Sequence, residues 1–147
     1  MTSWAVWAAG IMLAGAMPIA AAAEGLQAGQ WQVTTLTSID GAPPMPQRNE
    51  RCLGPEAVAD LDKTFSPVAN TVNSACERVE HEFSPARLKW RLQCRGQVDM
   101  NVAGEFVFET PERYTATVTT ELSIAGQLMQ SSKAALVGLR IGECRAQ

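Results

Sequence analysis

Two runs of alternating residues in the second half of the chain constrain its fold more than any other feature. With Ser84-Pro85-Ala86-Arg87 as a loop, the segment Glu77 to Arg95 pairs Val79 with Leu92, His81 with Trp90 and Phe83 with Leu88. The opposite face of the same register sets Glu80 against Arg91 and Glu82 against Lys89. Apolar pairs and opposite-charge pairs therefore fall on different faces, which is the signature of an antiparallel hairpin with one buried side. A second hairpin follows with Glu109 to Arg113 as its loop. It pairs Phe108 with Tyr114, Phe106 with Ala116, Gly104 with Val118, Met100 with Leu122 and Val98 with Ile124. Large residues oppose small ones midway, which suits a concave inner face, and Gly104 permits a close approach or a bend.

The remaining segments extend this pattern. Trp31 to Ile39 is rich in Thr and β-branched residues and reads as a strand, ended by Asp40-Gly41 and the Pro-rich stretch Ala42 to Pro46. Arg48 to Leu53 is a short extended piece. Pro55 then opens a helix expected to run to Phe65, with Val58, Leu61 and Phe65 on one face. Ser66 to Ala75 reads as loop, and Leu128 to Ile141 supplies the last strand after a turn at Ala125-Gly126-Gln127. The expected fold is all-β: an antiparallel sheet of about seven strands curved into an open barrel or calyx, with one short helix packed on it. A two-layer sandwich of the same strands is the alternative.

The first 23 of the 147 residues contain no Asp, Glu, Lys or Arg. An apolar stretch from Trp4 to Met17, a breaker at Pro18 and the small residues Ala20 to Ala23 read as a secretory signal peptide over 1–23, cleaved after Ala23. No basic residue precedes the apolar stretch, and an uncleaved anchor is the competing reading. Ala16 stands where a lipidated cysteine would have to be. Residues 24–147 form one domain, expected in the periplasm and with no membrane span after cleavage.

Cys52, Cys76, Cys94 and Cys144 all fall in the mature part, and an even count behind a signal peptide reads as two disulfides. Their wide spacing lacks the close Cys pair of a zinc site. In the first hairpin's register Cys76 lies on the charged face and Cys94 on the apolar one, so a direct bridge between them requires a bulge or an early end to the strand. The expected pairing is therefore Cys52 with Cys76 and Cys94 with Cys144. In a simple meander, however, Cys144 ends at the opposite rim from the other three.

The net charge of −3 and the lack of a basic cluster beyond Arg87, Lys89, Arg91 and Arg95 argue against nucleic acid as a partner. The single histidine, His81, lies between Val79 and Phe83 and faces Trp90, the position of a satisfied core or rim histidine rather than of a catalytic base. The chain has no G-x-S-x-G elbow, no H-E-x-x-H, no phosphate-binding glycine loop and no dinucleotide fingerprint. No cofactor or metal is implied; Met45, Met100 and Met129 give only a faint copper signal.

The combination Gly29-x-Trp31-x-Val33-Thr34-Thr35, Arg51-Cys52-Leu53-x-Pro55-Glu56, Cys76-Glu77, Trp90-x-Leu92-x-Cys94 and Gly138-x-Arg140-Ile141-Gly142-x-Cys144 carries a resemblance over essentially the whole mature chain. It resembles the domain-of-unknown-function family numbered thirty-six seventeen, small exported proteins of Gram-negative bacteria. Relatives often repeat Met-Pro in the loop where only Met45-Pro46 stands here. The resemblance implies compartment and boundaries but no catalytic or binding residue. From the residues themselves, the expected role is a non-enzymatic periplasmic binding or envelope-interaction module. It would hold a small apolar ligand, or a segment of an envelope protein, against inward-pointing Trp90, Met100, Phe106 and Phe108. The alternative is a hydrolase of envelope material with paired carboxylates, for which Glu105 and Glu109 are the first candidates.

Overall fold

The computed structural model describes residues 25–67, 70–71 and 74–146; the expected signal peptide lies outside them. Strands β1 (Gly29–Ile39) and β2 (Met45–Leu53) are followed by two single-turn helices, α1 (Pro55–Ala59) and α2 (Leu61–Phe65). Then come β3 (Asn70–Thr71), β4 (Ser74–Ser84), β5 (Arg87–Gly96), β6 (Asp99–Thr110), β7 (Arg113–Ile124) and β8 (Gln127–Gly142). All pair antiparallel in one sheet of order β2-β1-β8-β7-β6-β5-β4-β3. The sheet is open and curved, not closed into a barrel, with β2 and β3 at its edges. Seven long strands in a single layer agree with the all-β reading and exclude the sandwich.

The first hairpin holds the expected register from its turn to Glu80↔Arg91, with His81 opposite Trp90 and Phe83 opposite Leu88. Past that point a bulge at Val79 corrects it: Arg78, not Val79, faces Leu92, and Val79 is left 42% exposed. The extra residue moves the rest of β4 by one position, and Cys76 then lies opposite Cys94. The second hairpin is as expected from Phe108↔Tyr114 to Met100↔Leu122. Its loop is shorter than expected, because β6 reaches Thr110 through a bulge and only Pro111-Glu112 make the turn. Val98, expected opposite Ile124, lies before the start of β6.

Chain direction decides the cysteines. Since β8 pairs antiparallel with both β1 and β7, alternation across the sheet makes β2, at one edge, and β4, next to the other, run the same way. The segment between them must therefore travel from one end of the sheet to the other, and α1 and α2 do so over the inner face. This crossing inverts every later strand relative to a simple meander. It brings Cys144 beside Cys52 and leaves Cys76 and Cys94 together at the far end. The bridges are Cys52–Cys144 and Cys76–Cys94, with Cα separations of 5.3 and 3.9 Å, in place of the expected Cys52–Cys76 and Cys94–Cys144.

Two further local expectations are corrected. Strand β2 begins at Met45, so Met45-Pro46 belong to the strand and not to the loop; β2 is an edge, where a residue without an N–H is tolerated. The loop before it turns at Asp40-Gly41, both in the left-handed region at φ 49° and 76°, with Ala42 N–H donating to the Ile39 carbonyl at 2.9 Å. The single helix from Pro55 to Phe65 is instead two, broken at Asp60 (φ −133°, ψ 78°). There the Asp60 carboxylate accepts the Lys63 N–H at 3.0 Å and caps α2.

The core lies between the inner face of the sheet and these helices. Trp31, Leu88, Phe108 and Tyr114 are essentially inaccessible, and Leu61 and Phe65 of α2 close over them. The Phe65 ring has centroids at 5.2 Å to Phe106, 5.5 Å to Phe108 and 5.0 Å to Tyr114. Such pairs contribute about 0.5–1.5 kcal/mol each beyond area burial. Trp90 Nε1 donates to the Phe65 carbonyl at 3.1 Å, which ties the end of α2 to β5.

Candidate functional site

Because α2 covers only part of the inner face, a groove of about 350 Å³ remains beside it. Val33 and Thr35 of β1 form one wall, and Asn49 and Arg51 of β2 the outer rim. Phe106, Tyr114 and Leu136 form the floor, while Thr64 and Phe65 overhang it. Period-two alternation explains the set. Val33 and Asn49 are register partners, Thr35 faces Leu136, and Ala116 places Phe106 and Leu136 on either side of it. The volume falls at the lower end of small-molecule sites.

Among the described residues, Arg51 is the one charged side chain lining this groove. Its guanidinium lies over the Phe65 ring, 5.0 Å from the centroid, a cation–π contact that orients it. Burial pushes the Tyr114 phenol above its ordinary value, and the charge and hydrogen bonding of Arg51 work against that rise. The phenol therefore stays protonated at neutral pH and is able to donate a hydrogen bond into the groove.

Of the four residues expected to bind ligand, Trp90, Phe106 and Phe108 come together in the core cluster, with the Trp90 and Phe106 rings 6.5 Å apart, but they do not share the groove. Phe106 lines the groove. Phe108 is buried beneath Phe65, and Trp90 is buried over Gly104 with its indole N–H already satisfied. Met100 lies opposite Cys94 near the second disulfide. Both Trp31 and Trp90 are core residues and neither lines the groove. The candidate hydrolase carboxylates point away from it: Glu105 pairs with Arg87 at 3.4 Å, and Glu109 with Arg113 at 2.6 Å while accepting from Thr115. His81 sits at the rim as expected, its Nε2 2.8 Å from Asp62 Oδ1 of α2. Among the described residues no group of three or more His, Cys, Asp or Glu is placed to hold a metal ion, and no helix is long and apolar enough to cross a membrane.

The family model described as "Protein of unknown function (DUF3617)" matches residues 26–144. The chain belongs to this family. No curated protein and no solved structure matches this DUF3617 chain. Of the motifs that marked the DUF3617 resemblance, two bear on the groove. Gly29-x-Trp31-x-Val33 opens β1, and Arg51-Cys52-Leu53 places the rim cation one residue from a disulfide. Sequence reading missed Arg51, Asn49 and Leu136: Leu136 meets Thr35 across strands far apart in the chain, while Arg51 and Asn49 belong to the β1–β2 hairpin, whose Thr- and charge-rich strands show no clear apolar alternation to set its register. The available signal was the two-residue spacing of Arg51 from Leu53, which puts a lone cation on an inward-facing position.

Proposed function

We propose that the mature domain is a non-enzymatic periplasmic binding module that holds a small, largely apolar ligand in the groove between α2 and the inner face of the sheet. The carrying observation is the groove itself, with the apolar Phe106 and Leu136 in its floor, Phe65 overhanging them, and Arg51 as the one charged group among the described lining residues, at the β2 rim. Phe106 contacts the ligand, Trp90 and Phe108 support the floor, and Met100 lies farther along the same concave face. Two disulfides and the uncharged segment 1–23 support export through a cleaved signal peptide to the periplasm.

The test is a neutral, environment-sensitive probe, N-phenyl-1-naphthylamine, titrated into the purified protein. Its emission is expected to rise and saturate at one probe per chain. Thr35→Trp, which places an indole in the groove, is expected to abolish the rise while the circular dichroism spectrum is retained. Absence of any saturable rise with the wild-type protein overturns the reading in favour of a solidly packed domain that acts through its surface.

A further inference from the structure

The groove has a polarity that selects among apolar ligands. Arg51 and Asn49 stand together on β2, with the Tyr114 hydroxyl close to Arg51, and each of the three is able to donate a hydrogen bond. Of the remaining lining, Val33, Leu136, Phe106 and Phe65 are apolar, while Thr35 and Thr64 add two hydroxyls, that of Thr64 already donating to the Ala57 carbonyl at 2.6 Å. Among the described lining residues the one charge is a cation, Arg51, and no described carboxylate forms an ion pair with it. Arg87, Lys89, Arg91, Arg95, Arg113, Arg140 and Arg145 each have an acidic partner, whereas Arg48, Lys63, Arg78 and Lys133, like Arg51, form no ion pair with a described carboxylate but do not line the groove. Stacking on Phe65 holds the guanidinium in place before a ligand arrives, which reduces the ordering cost of using its planar donor fork. With a net charge of −3 the protein as a whole does not attract anions, so any preference for one must arise locally at this rim.

We infer that the ligand is a single-chain aliphatic carboxylate, its head at Arg51 and its hydrocarbon chain along Phe65, Phe106 and Leu136. The inference rests on the groove reading above and adds the chemistry of the head group. A volume of about 350 Å³ suits one chain rather than two. Arg51 at the exposed edge strand lets the carboxylate remain hydrated on its outer side while the guanidinium takes its inner oxygens in bidentate geometry.

Displacement of bound N-phenyl-1-naphthylamine by decanoate, decanol and decyltrimethylammonium separates head from chain. Decanoate is expected to displace best and the cationic amphiphile worst. Affinity within the carboxylate series is expected to rise about fourfold per methylene until the groove is filled. Arg51→Gln should weaken decanoate by roughly tenfold or more and decanol by much less, and Arg51→Lys should retain the preference for the anion. Equal displacement by all three head groups, unaltered by Arg51→Gln, overturns the carboxylate inference and leaves the groove reading standing. If the probe binds but no amphiphile displaces it, the chain-in-groove placement is wrong. If the probe itself does not bind, both readings fall together.

Discussion

The Tyr114 ring lies directly on Gly138, its register partner across β7 and β8, and occupies the space a Cβ at that position would need. Gly104 stands in the same relation to Trp90 across β5 and β6. Both contacts lie on the inner face, and both let a large ring lie flat on backbone so that the next strand's aromatics can pack above it. Gly138→Ala is expected to destabilise the fold by about 1–3 kcal/mol through overpacking. It should also tilt Tyr114 and so weaken probe binding in the groove. Gly41→Ala, at a turn with open space around it but φ of 76°, separates backbone strain from overpacking: it should cost stability without affecting the probe. Urea denaturation of both variants, alongside probe titration, checks this.

The two disulfides close loops of very different length, 92 and 18 residues. On the chain-entropy model they stabilise by about 4.6 and about 3.2 kcal/mol respectively. Replacing Cys52 and Cys144 together by Ala is therefore expected to lower the denaturation midpoint more than replacing Cys76 and Cys94. Peptide mapping of the unreduced protein should recover Cys52 linked to Cys144 and Cys76 linked to Cys94. Recovery of a Cys52–Cys76 peptide would contradict the crossing of α1 and α2 over the sheet.

Asp62 of α2 joins the helical crossing to β4. Burial raises its pKa, but hydrogen bonds from His81 and Ser66 and the positive charges of His81 and Arg78 outweigh that and hold it below the usual carboxylate range. A carboxyl with a lowered folded pKa contributes stability that is complete above its unfolded pKa and lost as pH falls through the folded one. The stability difference between wild type and Asp62→Asn should therefore shrink from roughly pH 5 to pH 2. At neutral pH a double-mutant cycle with His81→Ala should give a coupling of about 0.2–1 kcal/mol, because both side chains are about one-third exposed, at 32% and 33%.

Deleting Val79 removes the bulged residue while keeping Arg78 opposite Leu92 and Glu80 opposite Arg91. The expected outcome is a folded protein with the Cys76–Cys94 bridge intact in the peptide map. Insertion of one Ala between Glu82 and Phe83 is the contrasting case. It should misplace either Phe83 or the whole of β4 and markedly lower the denaturation midpoint, because a one-residue slip sends every side chain to the other face.

Alternation and turn residues by themselves determined the two central hairpins. Phe108 opposite Tyr114 and His81 opposite Trp90 are joined by short turns, so pairing is local and the buried face is written into every second residue. The same local logic gave the strand from Trp31 and the role of Gly104. Tertiary structure decided the rest. Nothing local marks that β8 pairs with β1, because partners such as Val33 and Gly138 lie more than a hundred residues apart and either strand would alternate equally well against another neighbour. Nor does periodicity locate a bulge, since Val79 is as apolar as the residues it was expected to join on the inner face. Once β8 closes on β1 and α1 and α2 cross the sheet, strand direction is fixed. The cysteines pair accordingly, and Arg51 is carried to the rim of a groove whose floor comes from strands it does not touch in sequence. The physical reason is that a strand's own sequence specifies which face is buried, whereas its neighbour is chosen by which assembly of faces buries the most apolar surface together.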